Sequence, residues 1–185
     1  MSNAKIQVPE LNEVSDKNRE ILNSIKEKAG FVPNIYATYA LSENALERFT
    51  TFANGAQSLS NKEKEVVNIV VSQVNGCRYC QSAHTAVGKM VGFSDDQILE
   101  MRKGSASFDP KLDALVKLTR EVSLKRGQVD DATLETFFNA GYTQENLVDT
   151  IVNIGEKTTT NLLHKVTDVP IDFPEAPVLE EEEAL

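Results

Sequence analysis

The sequence has no tryptophan, two cysteines, two histidines, six prolines and nine glycines among its 185 residues. Two cysteines are too few for a disulfide scaffold, and a pair so placed is more naturally catalytic, redox-sensing or metal-binding. The modest glycine and proline content excludes collagen-like and low-complexity material. Basic residues are also short: 19 Lys and Arg against 28 Asp and Glu give a net charge of −9, with no basic run. Phosphate backbones require clustered positive charge, so nucleic acid is not an expected partner. No apolar stretch approaches the roughly 18 residues of a membrane helix. The opening MSNAKIQVPE has neither the basic region nor the apolar core of a secretory signal, so a cytoplasmic protein with no membrane partner is expected.

What remains is ordinary globular material, 41% hydrophobic and 25% charged. A chain of this length buries roughly two thirds of its unfolded surface as one domain. That domain is expected over residues 1–178. Residues 179–185, with Glu180, Glu181, Glu182 and Glu183 following Pro174 and Pro177, read as a solvated acidic tail.

Apolar residues recur every three or four positions and never alternate strictly, which predicts an all-α, single-domain bundle of about eight helices. The first begins near Ser15 or Asp16 and ends at Gly30; a second element starts around Pro33, and a third follows Ser42 as its N-cap. The clearest start is SNKE at 60–63, a capping box opening a helix over 60–75. Gly76 breaks that helix, and a new one runs over 77–91 until Gly92. Ser94 with Gln97 opens a short helix, Asp109 with Pro110 another, and Asp130 a third that reaches Gly141. Thr143 caps a long last helix carrying Ile151, Ile154, Leu162 and Leu163, before VTDVPIDFPEAP turns irregular.

The chemistry concentrates at one helix start. Cys77 and Cys80 at i and i+3 would lie about 5 Å apart between Cα atoms, within disulfide range. The positive helix end favours thiolate and lowers a cysteine pKa from about 8.5 to 7.5 or below. His84, four residues after Cys80, shares its face and is a plausible base. The preceding helix is apolar through Val66, Val67, Ile69, Val70, Val71 and Val74, yet Glu65, Asn68 and Ser72 form one polar stripe. That stripe is either a narrow solvated face or the lining of a polar pocket. In the second case Glu65 is the carboxylate that orients the imidazole.

Glu65, an eleven-residue gap, then Cys77, Cys80 and His84, in EVVNIVVSQVNGCRYCQSAH, resemble the AhpD-like alkylhydroperoxidases of the carboxymuconolactone decarboxylase superfamily. GFVPNIYATYALSENAL upstream and TTTNLLHKVTDVPIDFP downstream are similar to its peroxidase-related branch. The resemblance implies an all-α domain that assembles as trimers or hexamers and reduces hydroperoxides without a bound cofactor. By matching positions, Cys80 would be the peroxidatic and Cys77 the resolving cysteine, Glu65 and His84 the proton relay, and an external dithiol or thioredoxin-like protein the reductant. One departure stands out: the well-studied AhpD-type proteins carry a second histidine immediately before the latter cysteine, where this chain has Tyr79. The residues themselves divide on which sulfur attacks. The helix-end field acts most on Cys77 and His84 is placed for Cys80; the expectation taken here is Cys80.

Three other readings compete. Cys77, Cys80, His84 and His164 number enough for a tetrahedral zinc site, although His164 is isolated on the last helix. Lactone decarboxylation, which names the superfamily, requires no disulfide. A redox-sensing or disulfide-exchange module would use the pair without peroxide turnover. Tyr36, Tyr39, Phe49 and Phe52 read as core or subunit-contact aromatics. Asn161 and His164, at i and i+3, are candidates for approaching a neighbouring subunit's site.

Overall fold

The structure is a computed structural model that describes residues 6–179. Among these residues the chain is all α, with nine helices where about eight were expected, and no strand. Glu180, Glu181, Glu182 and Glu183, assigned above to an acidic tail, lie outside the described residues. In order the helices are α1 (Asp16–Ala29), α2 (Asn34–Tyr39), α3 (Ala45–Ala53), α4 (Asn61–Val74), α5 (Arg78–Met90), α6 (Asp95–Lys103), α7 (Pro110–Leu124), α8 (Asp131–Asn139) and α9 (Gln144–Thr167).

Their starts follow local chemistry. Ser15 Oγ accepts from the Asn18 N–H, and Ser60, Ser94 and Thr143 each form a reciprocal capping box. Asp109 accepts from the amides of Lys111 and Leu112, ahead of Pro110 in the first turn of α7. One start falls elsewhere than expected: α3 begins after Asn44, not Ser42. Asn18 Nδ2 donates to the carbonyls of both Ala40 and Ser42 at 3.1 Å, which ties residues 40–42 to α1 as a turn and delays the helix.

Helix α4 is the centre of the molecule and packs against α5, α6, α7 and α9. Eight consecutive residues, from Glu65 to Ser72, are buried. One apolar cluster joins α4 to α6, α7 and α8 through Val66, Val70, Met101, Leu115, Leu118 and Phe137. A second gathers α1, α2 and α3 around the start of α5, through Leu22, Ile35, Leu46, Phe49, Cys77, Tyr79 and Cys80. Helix α5 can lie close to its neighbours because Gly88 has no side chain. A Cβ there would sit 3.1 Å from Ile98 Cδ1 and 3.2 Å from Ile69 Cδ1.

Helix α9 reverses the usual orientation of an amphipathic helix. Val148, Ile151, Val152, Leu162 and Val166 are exposed, whereas Thr150, Asn153, Glu156, Lys157, Thr160, Asn161 and His164 are buried. Ile151 and Leu162, read above as part of the apolar pattern of this helix, therefore face outward and only Ile154 is buried in the core. Beyond Asp168 the chain runs without regular structure across the start of α5. Arg78 Nη2 donates to the Ala176 carbonyl at 2.6 Å, and the Ala176 N–H donates to Ser82 Oγ at 3.0 Å. Asn34 ties the same segment to α2, its N–H donating to Asp172 Oδ2 at 2.6 Å and its Nδ2 to the Pro170 carbonyl at 3.0 Å.

Candidate functional site

The turn between α4 and α5 sets the position of the cysteines. Gly76 takes φ +62°, a left-handed conformation that side-chain-bearing residues rarely adopt, and reverses the chain directly before Cys77. Cys77 is then not the first helical residue but the N-cap of α5. Its backbone is extended at φ −88° and ψ 98°, and its sulfur accepts from the Cys80 N–H at 3.4 Å. Sulfur thus occupies the place that a serine or aspartate oxygen takes in an ordinary cap, facing the positive end of the helix. Both cysteines are free, both are buried, and their sulfurs are 2.8 Å apart. Closing a disulfide needs no rearrangement of the helix.

The polar stripe of α4 is buried rather than a solvated face. Glu65 and Asn68 are each 4% exposed and Ser72 is wholly buried. Glu65 Oε1 lies 2.6 Å from His84 Nδ1, and Glu65 Oε2 accepts from Asn68 Nδ2 at 3.1 Å. The carboxylate therefore fixes the imidazole and is itself held by a neighbour one turn on, so Glu65 and His84 meet between α4 and α5 while Cys77 and Cys80 meet at the start of α5. His84 is committed to Glu65, and no hydrogen bond joins it to Cys80 among the described residues.

What the sequence pattern understated is α9. Its buried polar face meets the cysteine pair within the same chain rather than from a neighbouring subunit. Asn161 and Lys157 act on Cys80, and His164 on Cys77. Asn161 is wholly buried, and its Oδ1 accepts from Asn75 Nδ2 at 2.9 Å. The His164 ring lies 5.0 Å from that of Tyr79, and its Nε2 is 3.0 Å from the Val169 carbonyl. The i, i+3 spacing of Asn161 and His164 was the available signal. Tyr79 is buried in turn: its hydroxyl accepts from the Ile35 N–H at 3.3 Å, and its ring meets Phe173 edge-on at 5.7 Å. Burial and the adjacent Asp172 raise its pKa, keeping it a neutral phenol. Of the aromatics, Tyr39 and Phe49 are buried and stacked at 4.3 Å, Tyr36 is half-buried and Phe52 is exposed.

The electrostatics separate the two sulfurs. Hydrogen bonding from Cys80, with support from His164, lowers the Cys77 pKa to about 5 against the opposing effect of burial. The Cys80 thiol is pushed up by its bond to Cys77 and by burial, with Lys157 and Asn161 pulling the other way. Burial opposes a charge on His164, but the Cys77 sulfur, the Val169 carbonyl and Asp168 together raise its pKa. Among the described residues no group of three His, Cys, Asp or Glu side chains is placed to hold a metal ion. The zinc arrangement is not formed, because His84 is turned to Glu65 and His164 Nε2 to a backbone carbonyl.

A buried dithiol at the amino end of one helix, with an imidazole on that same helix held by a carboxylate from its neighbour, thus sits inside an all-α bundle. The chain superimposes on the alkylhydroperoxidase AhpD core of a peroxidase-related protein from Ralstonia eutropha JMP134 with a TM-score of 0.79. The two are 23% identical, over 97% of this chain and 94% of that one. A peroxidase-related protein from Silicibacter sp. TM1040 is similar at TM-score 0.77 and 23% identity, over 99% and 95%. The debrominase Bmp8 shares the fold at TM-score 0.70 and 14% identity, over 85% and 87%. No curated protein matches the chain. Residues 43–121, which contain Glu65, Cys77, Cys80 and His84, match the model of the carboxymuconolactone decarboxylase family. This stretch is similar to that family, within a chain that shares its fold with these structures over 97% of its length in the first comparison.

Proposed function

We propose that the protein is a thiol-dependent peroxidase that reduces hydroperoxides through the Cys77 and Cys80 dithiol. The observation that carries this reading is the pair itself: two free sulfurs 2.8 Å apart at a helix amino terminus. A thiolate of the pair attacks the terminal oxygen of the hydroperoxide, the O–O bond breaks, and the alkoxide leaves as alcohol after taking a proton. The second sulfur then attacks the sulfenic acid, forming the disulfide and releasing water. Glu65 and His84 hold and accept protons beside Cys80, and an external dithiol or thioredoxin-like protein returns two electrons and two protons. No bound cofactor enters the cycle. Burial of both sulfurs favours small hydroperoxides, and a cytoplasmic, reducing setting suits the free pair.

The outward apolar stripe of α9 favours a homo-oligomer, a trimer or hexamer being the expected size. Val148, Val152, Gly155, Thr159, Leu162 and Val166 recur at alternating intervals of four and three and are all exposed in the single chain. Such a seam is what one helix presents to another.

Steady-state consumption of hydrogen peroxide and of an organic hydroperoxide, with dithiothreitol as reductant, tests the enzyme reading. The native protein should turn over many times, and the double Cys77→Ser, Cys80→Ser variant should not. Equal consumption by the two proteins would defeat the proposal, and disulfide formation without turnover would make the protein a redox sensor.

A further inference from the structure

Both cysteines are buried, Cys77 fully and Cys80 to 2% exposure, yet a disulfide between them has to be reduced from outside. Hydrogen peroxide is small enough to reach a buried sulfur through side-chain fluctuation. A protein dithiol is not: exchange requires its sulfur to approach one of the pair directly, so some covering element must move. The segment after α9 is the one built to do so. Residues 169–176 contain neither helix nor strand, and Pro170 and Pro174 have no N–H to join one. They lie as an outer layer over the start of α5: Pro170, Pro174 and Glu175 are exposed, whereas Val169 and Ala176 are buried. Ile171 and Phe173 pack on the cluster that contains Cys77, Tyr79 and Cys80, with the Phe173 ring 5.7 Å from Tyr79 and 5.3 Å from Phe31.

The helices around that cluster satisfy their backbone groups internally, whereas this strap is held at separate points. At one end the Val169 carbonyl lies 3.0 Å from His164 Nε2, next to Asp168, whose left-handed φ of 49° turns the chain out of α9. Asn34 holds the middle through Asp172 and the Pro170 carbonyl, and Arg78 and Ser82 hold Ala176 by its carbonyl and its N–H. Releasing these last four bonds frees the strap about Asp168 while every helix keeps its own hydrogen bonds.

We propose that residues 169–176 are a gate that swings about Asp168 to let a protein dithiol reach the Cys77–Cys80 disulfide, while hydrogen peroxide reaches the reduced pair with the gate closed. This rests on the peroxidase reading of the dithiol. With the gate open, a thiolate of the partner attacks one sulfur, the Cys77–Cys80 bond breaks, and the departing sulfur takes a proton. The partner's second thiol then displaces the mixed disulfide, leaving the partner oxidised by two electrons and the pair reduced. Asn34, Arg78 and Ser82 are positioning residues here: they set how often the gate is open.

Two tethers can be removed without touching either sulfur or the Glu65 and His84 contact. Asn34→Ala loses the bond to the Pro170 carbonyl, and Ser82→Ala leaves the Ala176 N–H without its acceptor. The disulfide is formed with diamide in native and doubly substituted protein, so no peroxide is needed, and its reduction is followed with dithiothreitol and with reduced thioredoxin as the protein dithiol. Thioredoxin should reduce the double variant about tenfold faster or more, since each lost hydrogen bond raises the open fraction by about two- to tenfold. Reduction by dithiothreitol, and loss of thiols to hydrogen peroxide, should stay within about threefold of native, because neither small reagent needs the gate.

Amide exchange of the native protein gives an independent reading. The Ala176 N–H should exchange by local opening, at a rate insensitive to low urea, while the buried α4 amides from Glu65 to Ser72 follow global unfolding. Equal reduction of the two proteins by thioredoxin, including no reduction of either, overturns the gate. So does an Ala176 amide that exchanges only together with those of α4, a result that stands even if the double variant does not fold. If native protein consumes no hydroperoxide, the peroxidase reading fails alone, because reduction of the diamide-formed disulfide still reports whether the gate operates.

Discussion

Replacing Glu65 with glutamine removes one charge from the interior without altering volume, and the consequences follow from two contacts. The carboxylate is 4% exposed, 2.6 Å from His84 Nδ1 and 3.1 Å from Asn68 Nδ2. Glutamine offers one acceptor oxygen and one NH2, so only one of those donors keeps its partner. A buried donor left unpaired costs about 1–3 kcal/mol, partly offset because a neutral amide is easier to bury than a carboxylate. A net loss of about 1–2 kcal/mol in urea unfolding is expected. The kinetic effect should be larger. With the proton acceptor behind His84 gone, closure of the disulfide should slow by about 100-fold or more. Stopped-flow oxidation of the reduced variant, quenched at intervals and assayed for sulfenic acid and disulfide, measures that step, and the sulfenic form should accumulate. Disulfide closure within about threefold of the native rate, in a protein shown to be folded, would refute the relay.

Other perturbations probe separate links of the account. Gly76→Ala meets no atom within 4 Å but must hold φ at +62°, so urea unfolding should show a loss of about 1–2 kcal/mol without steric disruption. Ser60→Ala removes half of the capping box that starts α4 and should lower stability by about 1 kcal/mol in the same assay. Leu162→Glu and Val166→Glu place charge on the exposed seam of α9 and should shift sedimentation toward the single chain, with the thiolate titration unchanged. A native protein that sediments as a monomer throughout would remove the basis for the seam.

The helix boundaries were legible because each depends on two or three neighbouring residues. Ser60 with Glu63, Ser94 with Gln97, and Asp109 with Pro110 act locally and behave in the fold as they read in the chain. Ser42 did not, since a side chain 24 positions away, Asn18, claims its carbonyl. The Glu65 and His84 contact was legible as a possibility only: periodicity places Glu65, Asn68 and Ser72 on one face but does not say what covers it. Helix α9 marks the larger gap. An amphipathic pattern fixes which residues lie together, not which side faces inward, and here the inward side is polar because it lines the dithiol. Sequence spacing cannot report that Asn161, Lys157 and His164 return to residues 77 and 80 across the bundle. For that reason the one local histidine points to Cys80, whereas the buried polar side of α9 bears on both sulfurs.

The central claim, that this dithiol exists to reduce hydroperoxides, is tested most directly by the rate of thiol loss. Fully reduced native protein is mixed with hydrogen peroxide or an organic hydroperoxide in excess, and remaining thiols are counted over time against an equal concentration of free dithiol. The account predicts loss of both thiols at a rate well above the free-dithiol control, ending in one Cys77–Cys80 disulfide. Oxidation no faster than that control, with either hydroperoxide, would contradict it.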